Sequence, residues 1–185
     1  SNDYPGQSGH IHLSLQNSKD GSSAFHDPAQ AMNMSKIQRH FIAGQQRLMP
    51  ELIAMYAQTV NAYSRMVPGF WAPTDATWGC ENRTTALRLI PGSAKSQRVE
   101  FRLGSADANP YIALAAALGS GLYGIEHELE PFDQVKGNAY EQQHPTELKL
   151  PNNIMDSSAA LRGSAIAREL FGDEFVEHYA ATRER

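Results

Sequence analysis

One cysteine, Cys80, is all that the 185 residues contain, so no internal disulfide framework can hold this chain. That usage fits a reducing, cytoplasmic setting. An excess of positive charge is missing too: 16 Lys and Arg stand against 20 Asp and Glu, a formal charge of −4. A nucleic-acid footprint calls for a basic domain and is thereby excluded. No run of about 18 or more apolar residues occurs, which leaves no membrane-spanning helix. Internal repeats and low-complexity tracts are absent as well. No signal-peptide pattern is visible, and the opening SNDYPGQSG lacks an initiator methionine. The expectation is a chain processed or excised from a longer one, so targeting is not read from it. The length suits one domain or a large piece of one.

Periodicity supplies the elements. GHIHLSLQ (9–16) alternates cleanly, and NSKDGSS (17–23) follows as a turn-rich loop. From Ser35, a plausible N-cap, Ile37, Phe41, Ile42 and Leu48 form a helical apolar stripe. Pro50 is expected to end that helix or to start the next, MPELIAMYAQTVNAYS. The stretch RMVPGFWAPTDATWGCEN (65–82) is too long and too aromatic for a plain connector, and long irregular loops often carry function. RTTALRLI and QRVEFRL then read as two strands of a hairpin. Asn109 or Asp107 is placed to cap a helix with Pro110 in its first turn. The alanines and leucines around 113–118 predict that this helix is buried. Residues 131–155 read as polar loop, and 156–184 as two short amphipathic helices parted near Gly172.

Two strand faces concentrate polar groups. In a strand, side chains alternate, so Arg98, Glu100 and Arg102 share one face while Val99, Phe101 and Leu103 share the other. On GHIHLSL, His10, His12 and Ser14 likewise stand together. Two imidazoles projected the same way suit a metal ligand beside a second polar contact. With Glu100 nearby, a divalent cation such as Mg²⁺ or Mn²⁺ bridged to phosphate oxygens fits the donor types. Arg65, Arg83, Arg88, Arg98 and Arg102, with Lys95 among them, add cations of the kind that clamps carboxylates and phosphates. The plain alternatives are exposed histidines and a solvated, self-neutralising Arg-Glu-Arg face. Arg83 and Arg88 are odd-spaced and would point to opposite sides of a regular strand, so either the strand bends or one of them is structural.

The motifs GHIHLSL, NAYSRMVPGFWAP, ENRTTALRLIPGSAKSQRVEFR and ADANPYIALAAALGSGLYGI, in this order, closely resemble the glutamine synthetase superfamily. They span about residues 6 to 130. The resemblance implies an α+β fold, a mainly antiparallel sheet flanked by helices. The 185 residues would then be the C-terminal part of a catalytic domain, with 1–130 bearing the motifs and 131–185 its helical end. It also implies ATP-dependent ligation of the glutamate γ-carboxylate to an amine through γ-glutamyl phosphate. Carried over by motif, His10 and Glu100 would hold Mg²⁺ or Mn²⁺ at the ATP phosphates. His12, Ser14, Arg88, Lys95 and Arg98 would contact the nucleotide. Arg65 would bind the glutamate carboxylate, and Arg83 and Arg102 the γ-phosphoryl group. Homo-oligomeric rings are implied for the full-length protein.

Departures from the pattern sharpen this. Ammonia-using members resemble VPGYEAP, whereas VPGFWAP here puts Trp71 where a glutamate is expected. Tryptophan accepts no proton but packs on methylenes and faces cations, so the loop resembles relatives that join glutamate to larger amines. The alternative is that Trp71 and Trp78 only pin the loop. Near Pro5 an expected asparagine is missing. Further metal-binding glutamates and a small N-terminal domain, found upstream in the family, are not in this sequence, which predicts that the chain alone is inactive. The competing readings are a glutamine synthetase using ammonia, and a non-catalytic structural or regulatory member of the superfamily.

Overall fold

The computed structural model describes residues 7–184; the position near Pro5 lies outside them. A four-stranded sheet carries β1 (Ser8–Leu13), β2 (Trp78–Cys80), β3 (Leu87–Ile90) and β4 (Arg98–Ser105) in the order β1-β4-β3-β2. Both β1–β4 and β3–β4 are antiparallel, and only β2–β3 runs parallel. Helices flank it: α1 (Lys36–Leu52), α2 (Val60–Tyr63), α3 (Pro110–Glu126), α4 (Ile154–Gly163), α5 (Ala165–Phe171) and α6 (Asp173–Arg183). This is the α+β architecture with a mainly antiparallel sheet. Among the described residues, no helix is long and apolar enough to cross a membrane.

Local chemistry explains the ends. The Ser35 side chain accepts a hydrogen bond from the Gln38 N–H at 3.1 Å, which caps α1. Asn109, rather than Asp107, caps α3 by accepting from the Tyr111 N–H, with Pro110 in the first turn. The alternation of β4 buries Val99, Phe101 and Leu103 completely. Phe101 stacks on Tyr56 with ring centroids 4.2 Å apart. Leu87 and Leu89 of β3, Phe41 and Leu48 of α1, and Val176 of α6 complete the same core. Each such side chain contributes roughly 1.5–3 kcal/mol through burial.

Several expectations are corrected here. Pro50 neither ends α1 nor starts another helix. It lies inside the last turn of α1, which runs on to Leu52 and then tightens into the 3₁₀ turn Ile53–Met55 before the short α2. The C-terminal region holds three helices instead of two. Gly172, with φ 83°, does part α5 from α6. A second break falls at Ser164, whose extended backbone and side chain accepting from the Ala167 N–H end α4 and cap α5. The polar stretch 131–155 contains the 3₁₀ turns Ala139–Glu141 and Thr146–Leu148 and the first residues of α4.

The helix α3 reverses the expected burial. Its inner face is built of Ala113, Ala116, Ala117, Ser120, Gly121 and Gly124, while Leu114, Leu118 and Leu122 face outward and remain exposed. Close crossing with α1 is the reason. A Cβ at Gly44 would sit 2.1 Å from the Ser120 carbonyl oxygen, and one at Gly121 would sit 2.1 Å from the Phe41 ring. Only the small residues of α3 fit against α1 at that distance.

Candidate active site

Sheet register assembles a polar centre around Glu100. Its Cα is paired with His12 on β1 and with Arg88 on β3. Because the pairs are directly opposite, all three side chains leave the same face of the sheet. A bulge between Gly9 and Ile11 brings His10 to this centre as well. His10 Nδ1 lies 2.9 Å from Glu100 Oε1, and His12 Nε2 lies 3.8 Å from the same oxygen. Arg102 Nη1 donates to Oε1 at 3.2 Å, and Arg88 Nη1 donates to Oε2 at 3.2 Å.

The centre is not a solvated surface. Glu100 is 4% exposed and Arg102 5%, so the Arg-Glu-Arg face is neutralised inside the protein rather than in water. The two guanidinium groups on Glu100 are also not both from β4. Arg98 turns away, its Nε donating to His12 Nδ1 at 3.2 Å and its Nη1 to the Ser96 carbonyl at 2.9 Å. Arg88 takes its place and pairs in addition with Glu81 at the end of β2. Nothing in the sequence pattern pointed to Glu81, because only the parallel pairing of β2 with β3 brings it there.

Charge states follow from this packing. Burial pushes the Glu100 carboxyl up, but the Arg102 charge, the Arg88 hydrogen bond and His10 outweigh it and hold it below the usual carboxylate value. Burial, then the Arg102 charge, lower His10 against the opposing pull of Glu100. Neutral imidazole beside ionised carboxylate is the state in which both ligate metals. The His10–Glu100 separation of 2.9 Å is that of a direct hydrogen bond, so what speaks for a cation is the donor chemistry, one imidazole beside one carboxylate. This pair therefore fits part of a divalent-cation shell. Among the described residues, no group of three or more His, Cys, Asp or Glu is assembled to complete one.

Arg83 resolves the odd spacing. It stands on the turn before β3, not on a strand, and so shares a cleft with Arg88. That cleft, about 420 Å³, is lined by His10, Trp71, Arg83, Arg88, Glu100 and Arg102. Trp71 is 59% exposed and adopts φ 59°, a left-handed conformation unusual for a side chain of its size. Trp78 behaves differently: it is buried, and its Nε1–H donates to the Phe132 carbonyl at 2.7 Å. Trp78 anchors the loop to the core, and Trp71 reaches the cleft.

The remaining expected residues lie around this centre or apart from it. Ser14 is exposed just beyond the end of β1, and Lys95 is exposed on the turn between β3 and β4. Arg65 does not line the cleft. It is 8% exposed, its Nη2 donates to the carbonyls of Leu103 and Gly104 at 3.1 and 3.4 Å, and its Nε has no partner among the described residues. Burial lowers its pKa from the ordinary arginine value.

Comparison with known proteins follows the same lines. A family model described as glutamine synthetase, catalytic domain, matches residues 1–185. Type-1 glutamine synthetase 2 of Dictyostelium discoideum is 43% identical over 98% of this chain and 35% of its own length. Glutamate–isopropylamine ligase of a Pseudomonas species is 39% identical over 96% of this chain and 39% of its own. The gamma-glutamylethanolamide synthetase GlnA4 of Streptomyces coelicolor is 41% identical over 96% of this chain and 37% of its own. A solved structure described as apo GmaS without ligand superposes with a TM-score of 0.82 at 28% identity, covering 97% of this chain and 41% of that one. The chain thus spans well under half the length of each of these relatives.

Proposed function

The chain belongs to the glutamine synthetase catalytic-domain family, and from that premise we propose that it serves an ATP-dependent ligation of the glutamate γ-carboxylate to an amine larger than ammonia. The observation that carries the choice of amine is Trp71, which lines the same cleft as Arg83, Arg88, Glu100 and Arg102. An indole face there offers a surface for methylene groups and a quadrupole for an ammonium, and it offers no base. Relatives named for isopropylamine and ethanolamide products support the reading.

In the proposed reaction a γ-carboxylate oxygen attacks the terminal phosphorus of ATP, ADP leaves, and the amine nitrogen displaces phosphate from the acyl carbon while losing a proton. Charge builds on the phosphoryl oxygens, so fixed cations around them lower the barrier. Arg83 and Arg102 would bind those oxygens. His12, Ser14, Arg88, Lys95 and Arg98 would hold the nucleotide. Arg65 is given the substrate glutamate's carboxylate by the family resemblance alone, since its guanidinium is buried outside this cleft on the Leu103 and Gly104 carbonyls. His10 and Glu100 would hold Mg²⁺ or Mn²⁺, which supplies neutralisation of the phosphate charge. Glutamate and amine are the substrates, and full-length subunits would assemble as homo-oligomers in the cytoplasm.

Activity is expected from a polypeptide with the length of the relatives and not from these 185 residues alone; sustained ADP release by the isolated chain would refute that. The primary test compares ADP release by the longer protein with glutamate, ATP and Mg²⁺, using ammonium, polyamines, ethanolamine and short alkylamines in turn. Faster release with a larger amine is the expected result, and Trp71→Glu should shift preference toward ammonium. Preference for ammonium in the unmodified protein would instead support a glutamine synthetase, the reading favoured by the Dictyostelium relative's name. Failure to bind nucleotide or metal at all would leave the non-catalytic reading.

A further inference from the structure

Away from the Glu100 cleft, α1 and α3 cross in opposite directions, so the start of α1 lies beside the end of α3. A Cβ at Gly124 would meet the His40 carbonyl oxygen at 2.2 Å, and Gln45, further along α1, donates to the Ala117 carbonyl at 3.0 Å. Between these two helix ends and the loop before α1 is a cavity of about 450 Å³, within the range of small-molecule sites. Met32, Met34, Lys36, Arg39, Glu128 and Glu130 line it, and none of them belongs to the cleft. Its walls are fixed. Met32 and Asn33 adopt φ 59° and 51°, and Glu128 φ 47°, conformations that non-glycine residues hold only where the surroundings determine them. Gln97 Nε2 donates to the Met32 carbonyl at 3.2 Å, Asn33 Nδ2 to the Gly92 carbonyl at 3.1 Å, and His40 Nδ1 to the Leu129 carbonyl at 2.7 Å.

Lys36 and Arg39 stand against Glu128 and Glu130 in this lining, and only one pair of them is matched. Arg39 and Glu130 form an ion pair. Lys36 and Glu128 are exposed, and neither has a salt bridge, to the other or to any further group, among the described residues. Each also stands at the wrong helix end. Lys36 is the first residue of α1, where the helix dipole favours an anion, and Glu128 follows the last turn of α3, where it favours a cation. Nothing local therefore stabilises either charge. A ligand of one sign would meet a like charge across the cavity, whereas a ligand carrying both signs pairs with each. We propose that this cavity binds a free α-amino acid as its zwitterion, the carboxylate on Lys36, the ammonium on Glu128 and the side chain against Met32 and Met34. Methionine suits the last role, because its unbranched thioether adapts to groups of different shape. The inference is independent of the reading of the Glu100 cleft, with which it shares no residue.

The test is methyl NMR of the 185-residue chain labelled with ¹³C-methyl methionine, titrated with L-alanine and L-glutamine into the high millimolar range. The Met32 and Met34 signals should move with both, while those of Met49 and Met55, buried in the core, should not. Propionate is alanine without the ammonium and ethylamine is alanine without the carboxylate. Each should bind about fivefold more weakly than L-alanine, the upper range for loss of one exposed ion pair. Lys36→Gln and Glu128→Gln should weaken L-alanine binding by a similar factor. Their melting temperatures should be unchanged or raised, since each variant removes a charge from the helix end that disfavours it. Propionate binding as well as L-alanine would make this an anion site and overturn the inference, and ethylamine doing so would make it a cation site with the same result. Undiminished L-alanine binding in either variant overturns it as well, as does the absence of any Met32 or Met34 response to both amino acids.

Discussion

Replacing Glu100 by Gln should destabilise the fold even though the side chain keeps its shape. The carboxylate is 4% exposed and faces His10, Arg88 and Arg102 at 2.9, 3.2 and 3.2 Å. Breaking one member out of a buried ion pair costs about 3–5 kcal/mol, because the opposite charge is left behind in a poorly solvating place. Arg88 retains Glu81, and glutamine keeps one carbonyl acceptor, so the lower end applies, about 3 kcal/mol. Arg102 has no other carboxylate within salt-bridge distance among the described residues. For a chain of this size, that loss lowers the melting temperature by about 6–12 °C. The assay is thermal and urea unfolding followed by circular dichroism, without added metal. A double variant, Glu100→Gln with Arg102→Met, should lose less than the sum of the single losses, with a coupling of about 2 kcal/mol. A Glu100→Gln chain that melts at or above the wild-type temperature would refute the assignment of Glu100 as the counter-ion of this buried centre.

Four further outcomes are expected. Gly44→Ala should cost several kcal/mol and abolish cooperative melting, since its Cβ would meet the Ser120 carbonyl oxygen at 2.1 Å, whereas Gly163→Ala, with nothing within 4 Å, should not destabilise. Ser164→Ala removes the α5 cap and the hydrogen bond to Glu51, for a loss of about 1 kcal/mol or more in urea unfolding. Trp71→Gly should leave stability unchanged or raise it by up to about 1 kcal/mol, as the exposed indole gives up little burial and glycine tolerates φ 59°, and it should lower the proposed preference for larger amines. The adjacent Ser105 and the hydrogen bond that Thr59 Oγ1 donates at 3.1 Å hold the Asp107 carboxyl below its ordinary value. Its small stabilising contribution is therefore present above about pH 4, the unfolded value, and is lost as pH falls through the folded one; Asp107→Asn should remove that increment from the acid limb of a stability–pH profile.

Much of the candidate site was legible because alternation is a local property. A strand with apolar Val99, Phe101 and Leu103 has one way to bury them, and that places Glu100 and Arg102 together on the opposite face. The caps at Ser35 and Asn109 and the helix break at Gly172 were readable for the same reason: each depends on residues within one turn. Which neighbours meet across the sheet was not local. The β3–β4 register decided that Arg88, and not Arg98, shares Glu100 with Arg102, and the bulge in β1 brought His10 to the same carboxylate. The turn before β3 carried Arg83 into the cleft despite its odd spacing, and the parallel β2 delivered Glu81 to Arg88. Alanine and leucine content marked α3 as apolar but did not say which face would be covered; the close approach of α1 at Gly44 chose the small residues. Sequence by itself determined which side chains share a face, because bond geometry repeats every two or 3.6 residues. Tertiary structure alone decided their partners and their burial, because those depend on contacts between segments far apart in the chain.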